Sequence, residues 1–173
     1  MKTSDMARTC CFTGPRPKNY PAGDSAVLET FLLNELRRAV REAAKKGYRH
    51  FISGMAAGVD LLAARAVSEL REECPALSVT LEAVVPFPSQ PARWTKDRKA
   101  EYHAILARCD CVHLVSDHFS ISAYRRRDRY MVEHSSLVIG VEGKPNGGTA
   151  KTLALAKELG RKIVLIGPGR NMT

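Results

Sequence analysis

The apolar run Cys10-Cys11-Phe12 breaks into Thr13-Gly14-Pro15-Arg16-Pro17. A guanidinium held between two prolines has little freedom to lose, and its fork of donors matches a phosphate or a carboxylate. An ordinary turn has no use for it. Gly147-Gly148-Thr149 opens a helical pattern, where glycine permits close backbone approach and the free N–H groups of a helix start attract an anion. Gly54 and Gly58 flank a second such start within SGMAAGVD. Lysine does not follow Gly148 and no GxGxxG is present, so neither loop is a Walker A or a dinucleotide fingerprint. Read singly, each glycine loop is equally compatible with a helix start that holds no ligand. Asp60 falls in the first turn of the second helical pattern, where a carboxylate favours the helix dipole by about 0.3–1 kcal/mol or accepts hydrogen bonds from a ribose or base. Arg125-Arg126-Arg127-Asp128-Arg129 is a basic run. Arg127 and Arg129 point in different directions on a helix, so one is expected at the ligand edge and the other in water or paired.

The elements that must position these residues follow from hydrophobic periodicity. Strands are expected near Arg8–Thr13, His50–Ser53, Val79–Pro86, Asp110–Ser116, Leu137–Glu142 and Lys162–Ile166. Helical patterns lie between most of them, over Ser25–Lys46, Ala57–Glu73, Thr95–Ala107, Tyr124–His134 and Thr149–Leu159. Strict alternation of strand and helix calls for an α/β fold, a Rossmann-like three-layer sandwich around a mainly parallel sheet. The chain reads as one domain, 1–173, with its core over about 8–168. Ligands of such folds bind at the carboxyl ends of the strands, where strand order reverses. The four chemistry-bearing loops all follow strands, so they should share one edge.

The composition sets limits. There are 27 Lys plus Arg against 18 Asp plus Glu, a net charge of +9 with a sequence pI near 9.6. That balance favours an anionic partner such as a nucleotide, another phosphate or nucleic acid, and it also serves solubility. No apolar run long enough for a membrane span and no signal-like start is present, which gives an expectation of a cytoplasmic protein. Five cysteines include no CxxC, so no disulfide framework is expected. Cys10-Cys11 and Cys109-x-Cys111 could offer thiolates to zinc, but neighbours on a strand point to opposite faces. Buried free thiols are the expectation, with no metal ligand assigned.

The segments CCFTGPRP, SGMAAGVDLLAA, VPFPSQPARW, RRRDRYMVEHSS and GGTAKTLALA occur in the order and spacing of the YpsA-like family of the SLOG superfamily, which the chain resembles from about Thr9 to Pro168. The superfamily includes DNA-processing protein A (DprA) and the LOG phosphoribohydrolases, and the resemblance implies Rossmann-like binding of a nucleotide or nucleotide-derived ligand with no required cofactor. Together with Gly54, Gly58 and Asp60 read from the loops above, it implies a ligand-binding set of Thr13, Gly14, Arg16, Gly54, Gly58, Asp60, Trp94, Arg127, Gly147, Gly148 and Thr149. Arg127-Asp128-Arg129 falls on the Arg-Asn-Arg signature of DprA-like proteins, and Arg127 on an arginine of the LOG active site. Phe87, Gln90 and Trp94 fall on aromatic and amide positions after the third strand. Trp94 either stacks on a base or pins its loop to the core. Two departures matter: Pro15 stands where the family has His, and Thr152 where the LOG enzymes carry a catalytic Glu. No catalytic residue is therefore assigned. The implied function is a nucleotide sensor or regulator, and the alternatives are a nucleotide N-glycosidase and a single-stranded DNA-binding protein. A small phosphate-bearing ligand is the expected partner, with a homodimer, a protein partner and nucleic acid as further expectations.

Overall fold

Every position of Thr9–Thr13 (β1) is buried, as a strand covered on both faces requires. The computed structural model describes residues 6–20 and 25–167; the remaining ends of the expected domain, and Pro168 of its expected core, lie outside them. The other strands are His50–Ser53 (β2), Thr80–Val85 (β3), Cys111–Leu114 (β4), Leu137–Val141 (β5) and Lys162–Ile166 (β6). Between them run helices Ser25–Lys45 (α1), Val59–Glu73 (α2), Lys96–Leu106 (α3), Ile121–Glu133 (α4) and Gly148–Glu158 (α5).

All five strand pairings are parallel. Strand order is β4-β3-β2-β1-β5-β6, so the chain winds outward from β1 in one direction, returns, and winds outward in the other. Right-handed crossovers then force the helices of the two halves onto opposite faces. Phe12, Phe51, Leu81 and Ile139 pack with α1, α2 and Tyr102 of α3, while Cys11, Ile52, Val84 and Val138 pack with Met131 of α4 and Ala156 of α5. Cys10 and Cys11 accordingly belong to opposite layers. Burial pushes the Cys10 thiol well above its ordinary value and that of Cys11 up to about 12, so both are inert.

Boundaries differ from the sequence expectation where local chemistry intervenes. The helix expected from Ala57 begins at Val59, because Met55 (φ 57°) and Gly58 (φ 95°) hold left-handed conformations that no α-helix accepts. The helix expected from Tyr124 begins at Ile121, because the Ser120 hydroxyl accepts the Ala123 N–H and caps a turn that periodicity does not register. Short 3-10 turns at Pro17–Asn19 and Pro75–Leu77 are additional. No helix among the described residues is long and apolar enough to cross a membrane.

Candidate functional site

The strand order reverses between β1 and β5, and the loops leaving these two strands frame the crevice expected to hold a ligand. Pro15 and Gly143 approach across it: a Cβ built on Gly143 would lie 3.8 Å from that of Pro15 and 3.4 Å from Thr149 Oγ1. Thr13 and Thr149 are both buried beside it. At the start of α5 the N-cap is Gly147, which has no side chain to satisfy the first N–H groups. A Cβ on Gly148 would meet nothing within 4 Å. The space above that helix start is therefore open to an anion.

The other loop glycines have different reasons to be glycine. A Cβ on Gly14 would lie 2.5 Å from the side chain of Val59, so the close approach read in the sequence as room for a ligand is taken up by the first residue of α2. A Cβ on Gly58 would lie 2.8 Å from the Pro15 carbonyl, at a φ of 95°. The β2 loop therefore passes directly against the β1 loop, with no room for a side chain between them. At Gly54 the space is filled by the Arg127 guanidinium and the Asp60 carboxylate, at 2.6 and 2.8 Å.

Those two side chains form a buried charged pair. Arg127, 6% exposed, donates from Nη1 to the Gly54 carbonyl (2.6 Å) and from Nε to Asp128 Oδ1 (2.7 Å). Its Nη1 lies 3.8 Å from Asp60 Oδ2. Asp60 Oδ2 also accepts the Ala56 N–H at 3.3 Å. Burial outweighs Arg127 and pushes the Asp60 carboxyl up to about 6, with Arg16 a lesser opposing influence. Arg16 and Arg127 both lie over the ring of Tyr124, at 4.9 and 5.8 Å from its centroid, each in cation–π contact with it. Arg125 and Arg126 are exposed, and Arg129 pairs with Glu133 at 3.0 Å.

Sequence reasoning missed Tyr124, because it was read as the first residue of its helix rather than as the residue one turn before Arg127. Phe87, named from the sequence, was not read together with its partners: it meets both Phe119 and Tyr124 edge-on, at 5.2 and 5.1 Å, and Phe119 is 65% exposed. Trp94 lies elsewhere, edge-on to Tyr102 of α3 at 5.4 Å and packed against the core. Gln90 Nε2 donates to the Met55 carbonyl at 3.2 Å, which holds the left-handed Met55 in place. Thr152 is buried and its hydroxyl donates to the Gly148 carbonyl at 3.1 Å. Glu142 is exposed.

With this geometry in hand, the family is decided by a match. The model of the YpsA family, described as the YspA SLOG family, covers residues 12–166. The chain belongs to that family. Its relatives include a UPF0398 protein of Bacillus pumilus (strain SAFR-032), 26% identical over 123 residues, 70% of this chain and 65% of the relative. The SPbeta prophage-derived protein YoqJ of Bacillus subtilis (strain 168) is 26% identical over 155 residues, 81% of this chain and 90% of YoqJ. Among solved structures this SLOG chain is similar to DprA from Streptococcus pneumoniae, with a TM-score of 0.62 at 17% identity over 97% of this chain and 53% of that one. It is also similar to DprA from Helicobacter pylori, described for its single-stranded DNA binding mode, with a TM-score of 0.62 at 16% identity over 95% of this chain and 68% of that one. The chain thus spans about two thirds of the B. pumilus relative and about half of the pneumococcal protein. At these identities the DprA likeness establishes the Rossmann-like fold.

Proposed function

We propose that the crevice between the β1 and β5 loops of this SLOG-family chain binds a nucleotide or nucleotide-derived phosphate ligand, and that the protein acts by sensing or holding it. The observation that carries this reading is the start of α5, without a side-chain cap at Gly147 and unobstructed at Gly148, on the same crevice as Pro15 and the loop that bears Arg16. A phosphate at the helix start would gain backbone N–H donors and a guanidinium in reach. Tyr124 holds the Arg16 guanidinium over its ring at 4.9 Å, which limits the freedom of the group proposed to meet the phosphate. The LOG-type catalytic position supports holding rather than cleaving, because the Thr152 hydroxyl is spent on a helix carbonyl and a threonine supplies no carboxylate.

The test is a thermal-shift screen of purine and pyrimidine mono- and diphosphates, with calorimetry on the strongest. A ligand that binds only the folded state raises stability by RT ln(1 + [L]/Kd). Saturable binding lost on Gly148→Val supports the reading. A screen without any shift, or affinity unchanged in that variant, overturns it.

A second reading, single-stranded DNA binding, is favoured by one surface feature. Phe119 and Ile121, 65% and 69% exposed, sit near the exposed Arg125 and Arg126 at the start of α4, and exposed aromatics beside basic groups are what base stacking uses. The net charge of +9 and the likeness to the H. pylori DprA point the same way.

A further inference from the structure

A different set of donor groups meets away from the crevice, toward the amino ends of β2, β3 and β4. We propose that His50, Glu82 and Cys111 form a binding site for a divalent transition-metal ion of the zinc class. The three residues come from three adjacent strands, and each turns one donor atom to a common point: His50 Nε2 is 2.7 Å from Glu82 Oε2, and all the donor atoms lie within 4.8 Å of one another. A tetrahedral ion with bonds of about 2.0–2.3 Å holds such atoms about 3.3–3.6 Å apart. Occupancy therefore asks each side chain to shift by roughly 1 Å or less.

Two observations beyond proximity favour an ion. Glu82 is 5% exposed, and among the described residues its one ion-pair partner is His50, which is charged only when protonated. A carboxylate taken out of water is normally paired with a permanent charge or a metal. The donors are also oriented from behind. Tyr130 Oη donates to Glu82 Oε1 at 2.9 Å and leaves Oε2 free to turn inward, while Thr80 Oγ1 holds His50 Nδ1 at 2.8 Å and leaves Nε2 inward. Outer partners of this kind fix imidazole and carboxylate ligands in metal sites. The nitrogen, oxygen and sulfur set excludes magnesium and calcium, which take oxygen alone.

Cys111 is exposed on β4, the edge strand of the sheet, so the ion reaches its ligands from solvent and water completes the fourth position. On binding, the Cys111 thiol releases its proton to the buffer, neutral His50 contributes the Nε2 lone pair, and Glu82 Oε2 exchanges its contact with His50 for one with the metal. No electron moves.

The full chain, stripped with chelator under reducing conditions, is titrated with Co²⁺ and followed by absorption. The expected result is a saturable thiolate-to-cobalt charge-transfer band at one ion per chain, with the strong visible bands of four-coordinate cobalt, displaced by Zn²⁺. Cys111→Ser, at an exposed position, should abolish the charge-transfer band while the fold is kept by circular dichroism. Cys109→Ser should leave the band unchanged. Tyr130→Phe should weaken binding about tenfold, the low end for an outer partner. A saturable band absent from the wild type, retained in Cys111→Ser, or lost in Cys109→Ser overturns the proposal, in each case independently of any nucleotide result.

Discussion

Asp60 sits in the first turn of α2, beside Gly54 and Arg127, with its acid strength lowered by burial. Its carboxyl is pushed up to about 6, against about 3.9 for an unfolded aspartate, so folding favours the protonated form. The resulting stabilisation is complete below about pH 4 and is lost as the pH rises through about 6, amounting to about 3 kcal/mol between these limits. Asp60→Asn imitates the neutral acid. Its thermal midpoint should match the wild type near pH 4 and exceed it near pH 8; parallel midpoints across that range would mean that Asp60 does not titrate there. Arg127 is the residue on which the proposed binding is tested. Arg127→Ala should weaken nucleotide affinity by about 1.5–3 kcal/mol, the range for charged hydrogen bonds, whereas exposed Arg125→Ala should cost little. Equal losses in calorimetry would point to a diffuse basic surface and so to nucleic acid. That Arg127 and Arg129 would differ from each other was legible from their spacing, and the choice of Arg127 came from the family resemblance. The partners that make it differ, Gly54 after β2 and Asp60 on α2, are distant along the chain, and no local pattern encodes that meeting.

At the scale of elements, two glycines of identical appearance in the sequence behave oppositely. Gly148→Val places its side chain in open space, so the fold should persist while phosphate approach to the start of α5 is blocked. Gly14→Ala drives a methyl into Val59 and should destabilise by about 1–3 kcal/mol, as overpacking does, measurable by urea unfolding without any ligand. Should Gly148→Val unfold the chain and Gly14→Ala leave it untouched, the roles assigned to the two loops are reversed. This contrast marks how far the sequence could be read. It revealed that glycines lie after strands and before helices, because period and punctuation are local. It could not reveal on which side of each glycine the protein lies. The same limit explains Tyr124, hidden by a Ser120 cap, and Trp94, whose edge contact with Tyr102 no local pattern states.

For the whole molecule, salt separates the two functional readings. A mononucleotide held in the crevice should lose modest affinity with rising ionic strength, while an oligonucleotide spread over the +9 surface should lose it steeply and linearly on a log–log plot. The purified protein should also release no free base from nucleoside monophosphates, measured by chromatography; release abolished by Glu142→Gln or Asp60→Asn would install an N-glycosidase instead. The alternation of strands and helices was fully legible, since it determines the architecture almost alone. The strand order was not, because nothing in a single chain states that β5 returns to lie beside β1. That return has a consequence for how the protein is made. Cys10 pairs with Phe51 on one side and with Leu137 on the other, so a chain emerging from its amino end completes one flank of β1 early and leaves the other open until the last quarter has been synthesised. Contacts so distant along the chain slow folding, and an apolar strand edge exposed in the meantime invites aggregation. The crevice itself, framed by the loops that follow β1 and β5, cannot exist until β5 has taken its place beside β1.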